Sequence, residues 1–234
     1  MEKWKNCLRP VAEVKSELQA LKLDTFLFDL GGVLVNDLDL NYDTSIRIFK
    51  MLGKRAFTKE EYLANLMPIQ NLYKFVGLNQ EESRESERLF KQFMIRGLDS
   101  IVIQPDAKPT LETLKERGLK LGLVTQYPHA VADRLLSQIG IRTFFDTVVG
   151  FEDSNEQKPS PKPVLIALDR LRSVRQTSLI VGDMKQDIMA GHSAGVQTVG
   201  IYRGKSAYHT REMLQEANPD LIIDDLAELT RLLW

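Results

Sequence analysis

Five polar residues lie where apolar segments of the sequence end, and their types are those that handle phosphate. Asp29 directly follows the apolar run TFLF, and Thr125 ends the run LGLVT. Asp183 and Asp187 follow the run LIVG, and Lys158 lies in the loop QKPSP. Clustered carboxylates suit Mg²⁺, whereas a hydroxyl and an ammonium group can hold phosphoryl oxygens. A carboxylate in such a site can also attack phosphorus, so this set predicts phosphoryl transfer.

These residues are far apart in sequence, and a parallel sheet would bring them together. Short apolar runs bounded by turn residues predict six strands. They are Thr25–Leu30, Lys120–Thr125, Asp146–Val149, Ser178–Val181, Gln197–Ile201 and Leu221–Ile223. Helical patterns lie between most of them, which predicts a three-layer α/β fold with a mostly parallel sheet. In such a sheet the carboxyl ends of the strands meet at one edge, where ligands bind.

The interval 36–104 interrupts this alternation. It contains no convincing strand and three helical patterns, at Asp43–Leu52, Lys59–Met67 and Gln80–Arg96. We therefore predict an α/β core made of residues 1–35 and 105–234, in which residues 1–23 form an N-terminal helical extension. Residues 36–104 are predicted to form a helical cap above the end of the first strand, where it could act as a lid.

Composition and charge exclude several classes of partner. The 234 residues include 31 Lys and Arg against 32 Asp and Glu, so neither a nucleic-acid surface nor an anionic membrane is indicated. The lone cysteine, Cys7, cannot form an internal disulfide, which fits a reducing compartment. No apolar run approaches the ~18 residues that cross a bilayer. We predict a soluble cytoplasmic protein, monomeric or homodimeric, that binds a small molecule.

The motifs together resemble the haloacid dehalogenase superfamily from about residue 25 onward. TFLFDLGGVL is similar to the first motif of that family, in which Asp29 takes the place of the nucleophile. Thr125 stands at the hydroxyl of the second motif and Lys158 at the lysine of the third. VGDMKQD is similar to the fourth motif and puts Asp183 and Asp187 at metal positions. Each fragment is a weak signal alone, but four in the right order are specific.

The resemblance implies a Rossmann-like core and a Mg²⁺-dependent phosphatase that forms a phospho-aspartate. Asp29, Asp183 and Asp187 would hold the metal together with the backbone carbonyl of Gly31. Thr125 and Lys158 would hold the phosphoryl oxygens. Gln126, which follows the second motif directly, could also contact the substrate. The implied helical cap would then select among small phosphorylated metabolites.

Gly31 departs from the family pattern. Family phosphatases usually carry a second Asp there, two residues after the nucleophile, as the general acid; such an acid is worth ~10²–10⁴ in rate. Three hypotheses about the function remain open. The chain can be a phosphatase whose acid comes from Asp37, Asp39, water or a good leaving group. It can be a carbon–halogen or carbon–phosphorus hydrolase, since those relatives also lack the second acid. It can also bind a phosphorylated ligand without turnover.

Overall fold

The computed structural model describes residues 11–66, 69–204 and 207–233. The helices of this part of the chain are α1 (Val11–Ala20), α2 (Leu38–Met51), α3 (Lys59–Asn65), α4 (Ile69–Val76), α5 (Gln80–Gly97), α6 (Ala107–Glu116), α7 (His129–Gln138), α8 (Lys162–Leu171), α9 (Lys185–Ala194), α10 (Arg211–Glu216) and α11 (Ala227–Leu233). The strands are β1 (Thr25–Phe28), β2 (Val35–Asn36), β3 (Val102–Ile103), β4 (Lys120–Val124), β5 (Thr147–Val149), β6 (Ser178–Gly182), β7 (Gln197–Ile201) and β8 (Leu221–Ile223).

Six parallel strands form the central sheet of the described chain, in the order β5-β4-β1-β6-β7-β8. β1 lies in the middle, where Phe28 pairs with Leu123 of β4 on one side and with Val181 of β6 on the other. The predicted α/β fold with a parallel sheet is confirmed, and each of the six predicted strands has a counterpart. The register also aligns the carboxyl ends of β1, β4 and β6 at one edge.

The sheet is buried on both faces because successive side chains of a strand point to opposite sides. Phe26 and Phe28 pack with one set of apolar residues, which includes Leu111 from α6 and Leu135 from α7. Leu27 packs on the other face with residues of α8 and α9. The result is a core of three layers, with helices on either side of the sheet.

Helices α2 to α5 have an apolar cluster of their own. Phe49, Phe57 and Tyr62 form its centre, and the rings of Phe57 and Tyr62 stack with their centroids 6.2 Å apart. Helix α5 also reaches the core, because Met94, and Leu98 directly after the helix, belong to the cluster on the first face of the sheet. Helices α2 to α5 therefore contact the core through the end of α5 and through Tyr208, which belongs to their cluster.

Two predictions for the interval 36–104 were wrong. β2 and β3 pair as an antiparallel ribbon, with Val35 opposite Ile103, although no strand was predicted between residues 36 and 104. Strands of two residues are too short to produce an apolar pattern. Helix α4 was also missed; its eight residues are stabilised by burial of Leu72 and Val76 in the cap cluster rather than by length. The end of the predicted helix Lys59–Met67 lies outside the described residues.

The ribbon lies at both limits of the helical interval. We propose that it marks the boundary between the core and a cap of residues 36–104. The N-terminal extension, predicted for residues 1–23, contains α1, and its first ten residues lie outside the described part. Within the described residues, none of the helices has the length and apolar character needed to cross a membrane.

Candidate active site

The turn after β1 brings two acidic side chains close to the backbone. Asp29 directly follows β1, and its backbone N–H donates to the Val181 carbonyl at 3.0 Å, which fixes it at the sheet edge. Gly32 has φ +70°, and a Cβ there would lie 2.1 Å from Asp183 Oδ2. Position 32 therefore requires glycine both for its left-handed backbone and for the approach of Asp183.

Three carboxylates converge at this edge, from the ends of β1 and β6 and the first turn of α9. Oxygens of Asp29, Asp183 and Asp187 all lie within 4.8 Å of one another. Both Asp183 oxygens are buried and find no hydrogen-bond donor among the described residues. Burial raises the pKa of Asp183 well above its usual range, and the charges of Asp187 and Asp29 raise it further. A buried, unpartnered carboxylate beside two further carboxylates fits a hard divalent cation.

Lys158 lies between two of these acids. Its Nζ is 2.7 Å from Asp29 Oδ1 and 2.6 Å from Asp187 Oδ1, and it donates to the Val124 carbonyl at 2.9 Å. Burial lowers the pKa of Lys158, but the attraction of Asp187 and Asp29 outweighs it, so the net shift is upward. The ammonium therefore stays charged beside Asp29. Burial raises the pKa of Asp29 to about 7 against the opposing effect of Lys158.

Thr125 and Gln126 follow β4 and line the same cavity as Asp29. The Thr125 N–H donates to the Val149 carbonyl at 2.9 Å, and its Oγ1 accepts from the Tyr127 N–H at 3.2 Å. Gln126 is exposed, and its Nε2 lies 3.4 Å from the Lys158 carbonyl. The structure thus places Thr125, Gln126 and Lys158 around the same cavity.

Asp37 occupies the space that Gly31 leaves open. A Cβ on Gly31 would lie 2.5 Å from Asp37 Oδ2. The Asp37 carboxyl is buried and accepts hydrogen bonds from Tyr127 Oη at 2.5 Å and Tyr208 Oη at 2.9 Å. Burial raises the pKa of Asp37 despite these hydrogen bonds. Sequence reasoning named Asp37 but missed Tyr208, which comes from a loop after β7 and has no motif of its own.

Asp39, the other downstream acid, lies outside the cavity lining. Its side chain is 78% exposed on α2 and pairs with Lys59 at 2.5 Å.

The cavity between the sheet edge and helices α2 to α5 has a volume of about 390 Å³. Asp29, Gly31 and Asp37 line its floor, and side chains of the cap helices line its walls.

Comparison with known proteins identifies the class. The fold and the relatives are those of phosphatase-like hydrolases. Residues 26–201 match the family model of the haloacid dehalogenase-like hydrolases, and the chain belongs to this family.

Its similarity to individual relatives extends over nearly the whole chain. Pyrophosphatase PpaX of Bacillus velezensis is 31% identical over 211 residues, which cover 89% of this chain and 95% of that protein. Pyrophosphatase PpaX of Anoxybacillus flavithermus is 29% identical over 215 residues, covering 91% and 98%. The crystal structure of a predicted phosphoglycolate phosphatase from Haemophilus somnus superposes with a TM-score of 0.81 at 25% identity, covering 91% of this chain and 99% of that one.

Proposed function

We propose that this chain is a Mg²⁺-dependent phosphoric-monoester hydrolase that acts on a small phosphorylated molecule through a phospho-aspartate on Asp29. The observation that supports it best is the cluster of Asp29, Asp183 and Asp187 beside Lys158 on the floor of the cavity. It combines a nucleophile, a hard oxygen set for a cation and a fixed positive charge.

Asp29 would attack phosphorus, and the bond from phosphorus to the ester oxygen would break. Lys158 and Thr125 would hold the transferring oxygens, where charge develops in the transition state. Asp29, Asp183, Asp187 and the Gly31 carbonyl would hold Mg²⁺, which when bound neutralises charge on the phosphoryl group. Gln126 would contact the substrate at the strand end.

We further propose that Asp37 supplies the acid absent from position 31. Its carboxyl lies where a side chain at that position would begin, and it lines the cavity. It would give a proton to the departing alkoxide. It would then take a proton from the water that attacks the phospho-aspartate, which releases phosphate and regenerates Asp29.

The alternative functions suggested by the glycine at position 31 have less support. Displacement of halide needs no divalent cation, so it gives no reason for the unpartnered Asp183 beside Asp187. A carbon–phosphorus hydrolase would need a cap lysine for a Schiff base. Lys54 pairs with Glu82 and Lys59 with Asp39. Lys91 lines the cavity, but its ammonium lies over the Phe151 ring, 5.7 Å from the ring centroid, and a Schiff base requires a neutral amine. The names of the PpaX relatives add inorganic diphosphate as a second candidate substrate, with phosphate as the leaving group.

The test is a panel of phosphate esters, including p-nitrophenyl phosphate, assayed with Mg²⁺ and with EDTA. We expect hydrolysis that requires Mg²⁺ and is lost in Asp29→Asn. Asp39→Asn serves as the matched control and should retain activity, because that carboxylate is exposed on the cap. Hydrolysis that persists in EDTA, or an unchanged rate in Asp29→Asn, would contradict the proposal.

A further inference from the structure

We propose that the cavity selects phosphate monoesters whose alcohol group is largely apolar and disfavours substrates that carry a second phosphoryl group. This inference rests on the proposed function, because it assumes that the phosphoryl group to be cleaved lies beside Asp29 and Lys158. It concerns the remainder of the substrate, which would extend toward the cap.

The cap walls of the cavity are mostly apolar. The described side chains that line them include a continuous aliphatic and aromatic set, namely Ile48, Phe49, Leu66, Ile69, Phe90 and Met94. Phe151 and Val131 add apolar surface from the core side. A cavity of about 390 Å³ leaves room for an organic group beyond the phosphoryl group.

Four of the polar side chains in these walls are hydrogen-bonded in pairs. Tyr62 shares a hydrogen bond with Ser45, and Tyr73 shares one with Ser86. Ser45 Oγ also donates to the Asn41 carbonyl at 2.8 Å. This pairing occupies four of the polar side chains, and the apolar side chains named above form much of the lining, so burial of apolar surface would supply most of the binding energy of the alcohol group.

The charges of the lining do not suit a second phosphoryl group. On the floor, Lys158 is already paired with Asp29 and Asp187. Among the described residues of helices α2 to α5 that line the cavity, the charged ones are Glu87 and Lys91, which lie one turn apart on α5 and have opposite charges. A buried phosphoryl group without matching cations would lose hydration that the walls could not replace.

The experiment measures kcat/KM for n-alkyl phosphates from ethyl to hexyl and for 1,4-butanediol bisphosphate and inorganic diphosphate. The alkyl esters have nearly the same leaving group, so differences among them report binding of the chain. We expect a rise of up to about fourfold for each buried methylene, and butyl phosphate at least about tenfold better than the bisphosphate. A flat alkyl series, or a preference for either two-phosphoryl substrate, would overturn the inference.

A pair of variants tests the cap wall directly. Ile69→Arg puts a cation into the lining and should reduce the preference for butyl phosphate over the bisphosphate. Ile95→Arg on α5 is the matched control, since Ile95 is 41% exposed and outside the lining; it should behave as wild type. Equal effects in both variants would contradict the inference. If all esters, p-nitrophenyl phosphate included, are left intact, the proposed function itself fails, which separates the two outcomes.

Discussion

At the scale of single residues, two adjacent glycines make room for two acids. The missing side chain at Gly31 leaves space for Asp37, and the missing side chain at Gly32 leaves space for Asp183. In both cases the acid comes from another part of the chain. The glycine pair after Asp29 is therefore compatible with the proposed site, in which Asp37, six residues after Gly31, would be the second acid.

Replacement of Asp37 tests its role as the acid. Asp37→Asn should lower kcat by ~10²–10⁴ for alkyl phosphates, whose alkoxide needs a proton on departure. The loss should be much smaller for p-nitrophenyl phosphate, whose leaving group needs none. A purely structural role would lower both rates alike, and that result in steady-state assays would remove Asp37 from the mechanism.

An acid introduced at position 31 should conflict with Asp37. Gly31→Asp alone places its Cβ 2.5 Å from Asp37 Oδ2, so we expect unfolding free energy to fall by about 1–3 kcal/mol. The double variant Gly31→Asp with Asp37→Ala removes the clash and should recover stability and activity on alkyl phosphates. Urea unfolding measures the change in stability, and steady-state assays with the alkyl phosphates measure the change in activity. If the two substitutions are additive, the proposed exchange of positions is wrong.

At the scale of elements, one buried ion pair connects the turn after β1 to the rest of the core. Arg203, after β7, donates to both carboxylate oxygens of Asp106, at 2.6 and 3.0 Å, and to the Val33 carbonyl at 2.8 Å. Asp106 lies before α6 and also accepts from the Leu226 N–H at 2.7 Å. The pair thus joins four segments near the site and fixes the loop that leads into the cap.

Asp106→Ala leaves the Arg203 charge without its partner in a site where both side chains are at most 10% exposed. We expect a loss of about 3–5 kcal/mol in unfolding free energy. Asp39→Ala, which breaks an exposed pair with Lys59, should cost at most about 1 kcal/mol. Denaturant unfolding of both variants measures the difference. Similar small losses would show that Asp106 does not connect these segments.

At the scale of the whole molecule, cation binding should stabilise the folded chain, because Asp29, Asp183 and Asp187 come together only when β1 and β6 are paired. Mg²⁺ at a hundred times its Kd should add about 2.7 kcal/mol to the unfolding free energy. Thermal unfolding with Mg²⁺, against NaCl at equal ionic strength, measures it. Asp183→Asn should abolish the rise in Tm. A Tm independent of Mg²⁺ in the wild type would argue against a metal site.

The sequence predicted most of the core and much of the candidate site, for physical reasons. Buried parallel strands are continuous apolar runs in the sequence. Strands β1, β4 and β6 could therefore be predicted, together with the polar residues that follow them. The ribbon of β2 and β3, and helix α4, were missed because short elements depend on tertiary packing. Asp37 could be named but not chosen over Asp39, since exposure and the space beside Gly31 arise only when the chain folds.

The cavity beneath helices α2 to α5 could not be predicted from the sequence either. Its apolar residues read in sequence as ordinary helix faces, and Tyr208 lies outside any pattern. Only the packing of α2 to α5 over the sheet edge turns Phe49, Ile69 and Phe90 toward a common space. The inference about the substrate class therefore depends on the cavity lining of the folded chain.

The most direct test of the central claim is to trap the phosphoryl group on Asp29. Wild-type protein turning over p-nitrophenyl phosphate with Mg²⁺ is quenched in acid within milliseconds, digested and analysed by mass spectrometry. We predict one phosphoryl group on the peptide that contains Asp29, converted to homoserine at that position by borohydride and absent from Asp29→Asn. Turnover by Asp29→Asn at a rate near the wild type, with no phosphoryl group on the wild-type peptide, would contradict the account.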